Sequence, residues 1–478
     1  MLKTNVQHND VLSTRQRSPL PHFEFSIGNG LFVFILSSGE EVPVMTTLQK
    51  QQLVVSIEEA IGHLCKGMSH GRTEKLPLEE CVGRVLAENF FTPFPMPPFR
   101  RAAMDGYAIR SHTTLGAGPG SEVMLRVIAE IKAGASRNFV EECTGSRLID
   151  DIDAVRIFTG APVPHRYDTV VMQEVVTPIK GEDGKPLWIG IDRHHPSGRH
   201  IAEAGEDLAP GKQILVKGTT IGAKEMAVLA SYGQGEALVF AKPRVVVLPV
   251  GDELQEPGTP LSPDHIYDSN GLVVYAFLKQ LGVEVTRRKP VPDHPAILTR
   301  EIEKAAEQAD LVITTGGISV GDHDYVERAA ARAGYEPLFT KVLMRPGTPT
   351  SAFKKEGSLL FGLSGNPSAC YSALELLVKP TIQWIKGMKS YRNQWQKGRL
   401  EDSIGKPCPY PRYIRSIASM ELGVWRLTPL PNDKSGNIAA FAEANAIAVI
   451  PAGGRGAAKG ETISFLLLTH MANGGLTL

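Results

Sequence analysis

Three stretches of this 478-residue chain combine glycines with acids, hydroxyls or amides: Gly251-Asp252-Glu253, Gly316-Gly317-Ile318-Ser319-Val320-Gly321-Asp322 and Ser364-Gly365-Asn366-Pro367. Glycine carries no Cβ, so its backbone N–H can approach a phosphate closely. Pro367 suits the first position of a helix, whose N-terminus adds positive partial charge. Together they suggest a phosphate or pyrophosphate ligand. One Gly-Gly after a strand reads as an ordinary tight turn, but three such loops point to a shared site. None has the Lys that follows the last glycine of a P-loop, and none matches Gly-x-Gly-x-x-Gly, so ATPase and dinucleotide dehydrogenase readings lose their main support.

The same loops hold Asp252, Glu253 and Asp322, with Asp324 just beyond. Carboxylates beside a phosphate repel it unless a cation bridges them, and Mg²⁺ is the natural bridge between hard oxygen ligands. Solvated acids at helix N-caps are the plainer alternative. Lys341 and Arg345, just before Pro346-Gly347, could offset negative charge or form a solvated turn. Two further stretches carry reactive groups: Asp105 beside Gly106 and Tyr107, and Thr159 at the head of Gly160-Ala161-Pro162-Val163-Pro164. Either is also readable as a loop that merely turns the chain. His194, His195 and His200 lie in a Pro- and Gly-containing loop, which favours an exposed solvated cluster over a metal site. No Ser/His/Asp triad spacing or zinc signature appears.

Strands and helices must position these loops. Residues 245–250 are an unbroken, largely β-branched apolar run without alternation, as expected of a parallel strand covered on both faces. Asp268-Ser269-Asn270 caps a helix whose Val274, Phe277, Leu278 and Leu281 recur at helical spacing, with Gly282 past its end. Strands at 283–286, 311–315 and 359–362 alternate with helices at 295–308, through Val326, Ala329 and Ala330, and from Pro367 to about residue 386. This pattern predicts a doubly wound α/β domain over 242–390, with the three loops at the carboxyl ends of its strands, facing one crevice. Short apolar runs broken by Gly and Pro predict a β-rich domain at 93–199, inserted into a helical and linker domain formed by 45–92 and 200–241. Within the first of those segments, residues 56–87 read as helix, loop, helix, with Ser56 as N-cap, and the proline-rich stretch 90–99 as an extended linker. A β-barrel-like domain is expected at 391–478.

Composition bounds the rest. The length suggests roughly three folding units. The 51 basic residues equal the 51 acidic ones, so no global field draws the molecule to nucleic acid, and anionic ligands must be held locally. No apolar run approaches the ~20 residues of a membrane span. The five cysteines are scattered without a Cys-x-x-Cys pair, which argues against a disulfide framework and for a reducing cytoplasm. Residues 1–44 lack helical periodicity and a secretory pattern. They are expected to be disordered or extraneous, with Met45 as the start.

With these residues in view, the chain resembles the MoeA family of molybdopterin molybdenumtransferases, and is similar to the E domain of gephyrin and of its plant counterpart. The carrying motifs, in family order, are Met104-Asp105-Gly106-Tyr107-Ala108, Thr159-Gly160-Ala161-Pro162-Val163-Pro164, Gly205-Glu206-Asp207, Gly251-Asp252-Glu253-Leu254, Ile266-Tyr267-Asp268-Ser269-Asn270, Thr315-Gly316-Gly317-Ile318-Ser319-Val320-Gly321 and Gly365-Asn366-Pro367. The resemblance implies insertion of molybdate into adenylylated molybdopterin, with Mg²⁺-dependent release of AMP. It also implies a MogA-like α/β domain and a four-domain, elongated homodimer. Family functional positions fall on Asp105, Thr159, Glu253, Asp293, Asp324 and Lys341, with Arg415 and Ser435 in the C-terminal domain.

On this resemblance Gly251, Asp252, Gly316, Gly317, Ser319, Gly321, Gly365, Asn366 and Pro367 would hold the pterin phosphate and adenylate. Glu253, Asp293 and Asp324 would hold Mg²⁺. Lys341, Arg345, Arg415 and Ser435 would donate to molybdate, and Asp105 and Thr159 would close the site, across a dimer interface if the pair acts in trans. Other proteins of molybdenum-cofactor biosynthesis are the implied partners. Arg345 and Thr348 depart from the Lys-Pro-Gly-Lys-Pro frequent in the family, and Ser364 departs from its Pro-Gly-Asn-Pro. Competing readings of the same α/β domain are a MogA-type adenylyltransferase and a CinA-like nucleotide pyrophosphatase, neither of which needs Asp105-Gly106-Tyr107. A non-catalytic molybdopterin carrier is the third.

Overall fold

In a computed structural model of the chain, the described residues are 53–136, 139–140, 151–318, 325–405, 407–431 and 443–468, with backbone alone at 25–28, 31–35 and 41–42. The chain divides into two compact units, Met1–Val54 and Val55–Leu478. In the first, strands Phe25–Gly28, Leu31–Ile35 and Glu41–Val42 form an antiparallel sheet in that order, where the sequence suggests no structure. Asn29-Gly30, between the first two strands, is a dipeptide that favours two-residue hairpins.

Within the second unit, the α/β domain is built on six strands in the order Glu284–Arg287, Arg244–Pro249, Leu311–Thr315, Ser358–Leu363, Ser351–Lys355 and Glu336–Phe339. The first four are parallel; the last two form an antiparallel edge. Arg244–Pro249 is followed in sequence by a strand on one side and then by one on the other. The winding direction therefore reverses between Arg244–Pro249 and Leu311–Thr315, which is where an open α/β sheet presents its ligand crevice.

Helices cover both faces of this sheet, which explains why the central strands are apolar throughout. Val274, Phe277 and Leu278 of helix Ser269–Gln280 pack on one face with Val247, Ile313 and Phe361. Leu298 and Ile302 of helix Pro295–Ala306, with Val326 and Ala329 of helix Tyr325–Arg332, pack on the other with Val246, Leu248 and Val312. Each fully buried Leu, Ile, Val or Phe contributes about 1.5–3 kcal/mol. The long C-terminal helix runs as Pro367–Ala373, a wider five-residue turn Leu374–Val378, and Lys379–Ile385.

Helix Ile57–Gly67 starts with a reciprocal cap, in which Ser56 Oγ accepts from the Glu59 N–H while the Glu59 carboxylate accepts from the Ser56 N–H. Its Ile57, Ala60, Ile61 and Leu64 follow helical spacing and pack into the core that Ser269–Gln280 covers, so it shields the α/β sheet although the sequence assigned it to the split domain. The second helix expected before residue 87 is instead strand Thr73–Pro77 and a single 3₁₀ turn, Leu78–Cys81. Strand Thr73–Pro77 pairs with Glu236–Phe240 and Phe90–Phe91 pairs with Gln213–Leu215. The segments flanking the insertion thus meet through strands, because long-range pairing overrides weak local helical preference.

The inserted domain carries a six-stranded sheet in the order Thr169–Met172, Gly106–Ile109, Asp153–Ile157, Val123–Ile131, Pro186–Ile191 and Thr177–Lys180. The C-terminal domain is a closed barrel of Gln396–Leu400, Val424–Pro429, Arg412–Glu421, Ala446–Ile450 and Thr462–Leu467, filled by Leu400, Ile414, Leu427, Ala448 and Phe465. No helix among the described residues is long and apolar enough to cross a membrane.

Candidate functional site

The ends of three parallel strands converge. Val250 donates its N–H to the Thr315 oxygen (2.9 Å), and Gly316 donates to the Leu363 oxygen (2.9 Å). Gly316 has φ +87°, and a Cβ there would lie 2.2 Å from the Val250 oxygen; a Cβ on Gly365 would lie 3.5 Å from the Gly316 Cα. Only glycine at 316 lets the three loops touch. Gly251, Gly316, Gly317, Gly365, Asn366 and Pro367 are therefore gathered at one end of the sheet. Ser319, Gly321, Asp322 and Asp324 lie outside the described residues.

Acids line the first loop. Asp252 and Glu253 are exposed, and the Asp293 N–H donates to Asp252 Oδ1 (3.2 Å), which brings the 293 loop to the 252 loop. The chain after Glu253 forms a small brace. Strand Leu254–Gln255 runs parallel to Ile266–Tyr267, with Ile266 N–H on the Glu253 oxygen and Asp268 N–H on the Gln255 oxygen, both 2.9 Å. Arg287 then grips Glu256 with both terminal nitrogens (3.0 and 2.6 Å) and Asp268 with one (2.7 Å). Asp268 is 1% exposed and also accepts the Gly271 N–H, capping helix Ser269–Gln280. Burial pushes its pKa up against those donors. The next turn sends Asn270 Nδ2 to the Gly365 oxygen (2.7 Å), so the brace connects the first loop to the third. In the sequence, Asp268-Ser269-Asn270 reads as a helix cap and as part of a motif shared with the family, without a contact to the third loop. Nothing in the spacing announced Arg287 or Glu256.

Beside the third loop lies a cavity of about 720 Å³, lined by Arg345, Pro346, Thr348, Ser364 and Asn366 from the α/β domain and by Cys408, Tyr410 and Arg412 from the barrel, among others. Ser364 Oγ accepts the Asn366 N–H (3.2 Å), which leaves its own O–H to donate. Thr348 Oγ1 is already committed as donor to the Met344 oxygen (2.6 Å). Lys341 is half-buried in the short strand Lys341–Val342 that leads into this loop. Arg415, 3% exposed, stands on barrel strand Arg412–Glu421 opposite Ile447. Ser435 lies outside the described residues. Tyr410 and Arg412 are not recognisable as cavity residues from local pattern, because only closure of the barrel against the α/β domain brings them there.

Asp105 and Thr159 form a tight pair on the inserted domain, on a different sheet from the glycine loops. Thr159 donates both its N–H and its hydroxyl to Asp105 Oδ1, each at 2.7 Å. These two donors, with Arg156 nearby, hold the Asp105 carboxyl below its usual pKa. Gly106 follows because a Cβ there would collide with the Val171 oxygen. The histidine loop corrects an expectation: His195 is 3% exposed rather than solvated, its N–H bonded to Thr114 Oγ1, and burial with Arg199 alongside lowers its pKa. Among the described residues no group of three metal-capable side chains occurs.

Comparison with known proteins agrees with this layout. Residues 55–233 match the MoeA N-terminal region (domain I and II), 246–384 a probable molybdopterin binding domain, and 397–468 the MoeA C-terminal region (domain IV). The chain is 35% identical over 415 residues to the molybdopterin molybdenumtransferase of Bacillus subtilis, covering 87% of this chain and 94% of that one. It is 36% identical over 413 residues to that of Staphylococcus epidermidis, covering 86% and 95%. The crystal structure of the molybdopterin biosynthesis MoeA protein of Pyrococcus horikoshii superposes with a TM-score of 0.74 at 28% identity, covering 87% of this chain and 99% of that one. Extended similarity on this scale, spanning the inserted domain, the glycine loops and the barrel in one order, places the chain in the MoeA family of molybdopterin molybdenumtransferases.

Proposed function

We propose that the chain is a molybdopterin molybdenumtransferase of molybdenum-cofactor biosynthesis, inserting molybdate into adenylylated molybdopterin with release of AMP. The observation that carries this is the meeting of the Gly251, Gly316 and Gly365 loops next to an arginine-lined cavity, in a chain whose family relationship spans every domain. An adenylyltransferase or pyrophosphatase of the lone α/β type would use neither the Asp105–Thr159 pair nor the barrel wall of that cavity.

In this reading the backbone N–H groups of the glycine loops cradle the pterin phosphate and adenylate, and the brace from Glu253 to Asn270 keeps the loops in register. Arg345, Lys341, the Ser364 hydroxyl, Arg415 and Ser435 hold the tetrahedral molybdate dianion by charge-assisted hydrogen bonds. Glu253, Asp252 and Asp293 offer the hard oxygens that Mg²⁺ takes from one or two carboxylates plus substrate phosphates, and Asp324 would add another. Bound there, Mg²⁺ would neutralise charge on the departing phosphate. The Asp105–Thr159 pair closes the site of the opposite protomer in a homodimer. A cytoplasmic location, and transfer of the product to other proteins of the pathway, complete the proposal.

The test is incubation of the full chain with adenylylated molybdopterin, molybdate and Mg²⁺. AMP release that requires molybdate supports transfer; retention of the ligand without cleavage, or cleavage indifferent to molybdate, overturns it.

A further inference from the structure

We infer that Arg100 is a positioning residue of the transfer reaction, fixing the loop that carries Thr159, and through it the Asp105 carboxylate, where the inserted domain leaves its linkers. The guanidinium reaches three acceptors. Its Nε donates to Glu203 Oε1 (2.8 Å), and Nη1 donates to the main-chain oxygens of Tyr167 (2.7 Å) and Pro164 (3.4 Å). Pro164 ends the motif that Thr159 begins, and the Tyr167 N–H closes a turn onto the same Pro164 oxygen (3.1 Å). One planar fork thus spans the Thr159 loop on one side and the returning linker on the other.

The main chain around Arg100 carries that hold to Asp105. Strand Arg101–Ala102 is pinned along both edges. On one, Ala102 N–H donates to the Ala161 oxygen (2.9 Å), Gly160 N–H to the Ala102 oxygen (2.8 Å) and Val163 N–H to the Arg100 oxygen (3.1 Å). On the other it pairs with strand Ile201–Ala202, and Ala103 N–H donates to the His200 oxygen (2.9 Å). Asp105 follows three residues after Ala102 and accepts both Thr159 donors. The far end of the fork is anchored too. Glu203 N–H donates to Glu206 Oε2 (2.9 Å), Glu206 N–H to the Glu203 oxygen (3.2 Å) and Gly205 N–H to the Pro97 oxygen (3.0 Å). The Gly205-Glu206-Asp207 motif of the linker therefore holds the acceptor of Arg100. The Glu203 side chain is 60% exposed, and an ion pair in water adds little to stability. What the fork contributes is direction: it sets the returning linker against the loop that ends at Pro164.

That Asp105 serves the transfer rests on the proposed function; the hold of Arg100 on the Thr159 loop does not, and the two are read separately. Carbon-detected NMR of the Asp105 carboxyl follows the hold in the full chain without turnover. Arg100→Gln loses the fork, so Thr159 should detach in part and the Asp105 pKa should rise toward the ordinary aspartate value, with Arg156 still lowering it. Steady-state AMP release measures the consequence. Because the pair closes the site rather than holding substrate in it, kcat should fall about tenfold to a hundredfold, the scale of a small misplacement. The KM values for adenylylated molybdopterin and for molybdate should change less than about twofold. Arg100→Lys keeps the charge but places it at one point, so both readouts should lie between wild type and Arg100→Gln; it carries the test if the Gln variant does not fold. Since Arg100 acts through Thr159, Arg100→Gln combined with Thr159→Val should lose less than the product of the single losses.

An Asp105 titration unchanged in Arg100→Gln overturns the hold. A shifted titration with unchanged kcat overturns the part of Arg100 in the reaction, as does a KM that rises while kcat stays. Losses that multiply in the double variant mean that Arg100 acts elsewhere, and overturn the inference too. Absence of molybdate-dependent AMP release in wild type, by contrast, strikes the proposed function and leaves the titration to decide the hold.

Discussion

Asn270 Nδ2 donates to the main-chain oxygen of Gly365 over 2.7 Å, although the two residues are 95 positions apart in the chain. The bond fixes the orientation of the Gly365 peptide, and so of the next N–H groups, relative to the strand end at Gly316. Asn270 is itself held by a buried cap, since Asp268 is locked between the Gly271 N–H and Arg287. A loop of flexible glycines is thereby given one conformation by side chains outside it.

Asn270→Asp keeps the size and shape of the side chain but cannot donate once ionised, and its charge repels the Gly365 oxygen. We expect its KM for adenylylated molybdopterin to rise about tenfold, the worth of roughly one net hydrogen bond, with a smaller change in kcat. Steady-state AMP release measures both. An unchanged KM would mean that the Gly365 peptide does not face the nucleotide.

Gly316→Ala and Gly357→Ala make a matched pair. Both glycines have positive φ, +87° and +74°. A Cβ at 357 meets nothing within 4 Å, whereas one at 316 lands 2.2 Å from the Val250 oxygen. Gly357→Ala should cost about 1 kcal/mol, for the left-handed backbone alone. Gly316→Ala forces two strand ends apart and should cost at least about 2–3 kcal/mol more, within the range for overpacking a tight site, and abolish AMP release. Urea midpoints compare the two, and similar shifts would refute the close approach of the loops.

The parts of this architecture that were legible in the sequence are those written in local pattern. Residues 245–250 announce a doubly covered strand, Asp268 announces a cap, and Gly316-Gly317 announces a turn at a strand end. Elements that depend on partners distant in sequence were misread or missed. Thr73–Pro77 is a strand only because Glu236–Phe240 lies beside it, and the antiparallel strand Ser351–Lys355 exists through its pairing with Ser358–Leu363. The site divides in the same way. Gly316 and Gly365 could be picked out from their loops and Asn270 from its helix cap, but the contact of Asn270 with Gly365, and the place of Arg287 beside Glu256 and Asp268, exist only in the fold.

Asp105 offers a titration that isolates one hydroxyl. Thr159 lowers the Asp105 pKa through its N–H and its Oγ1, the N–H being the larger influence. A carboxylate whose pKa is depressed by folding adds stability above its unfolded pKa, and that contribution is lost as pH falls through the folded value. Thr159→Val removes the hydroxyl and keeps the N–H. The Asp105 pKa should therefore rise part of the way toward the ordinary aspartate value, and the acid limb of unfolding should begin at higher pH. Carbon-detected NMR of the Asp105 carboxyl follows the shift directly; a titration identical to wild type would show that the hydroxyl contributes nothing.

The acidic loop sets the last expectation. Asp252 and Asp293 are brought together by the Asp293 N–H on Asp252 Oδ1, and Glu253 is exposed next to them. If these oxygens share Mg²⁺ with the phosphoanhydride, the deficit left by Glu253→Gln or Asp293→Asn should appear as a need for more metal rather than as a lost fold. Each exchange keeps the side-chain volume while removing a negative charge, so the Mg²⁺ concentration for half-maximal AMP release should rise about tenfold or more, by the scale of one charge-assisted contact. Rates at saturating Mg²⁺ should recover in part. The two exchanges act on one ion and should combine non-additively, the double variant losing less than the product of the single losses. Were the metal-dependence curve to stay in place while the rate fell, the acids would be acting on the substrate directly, and the repulsion they impose on its phosphates would need another source of compensation.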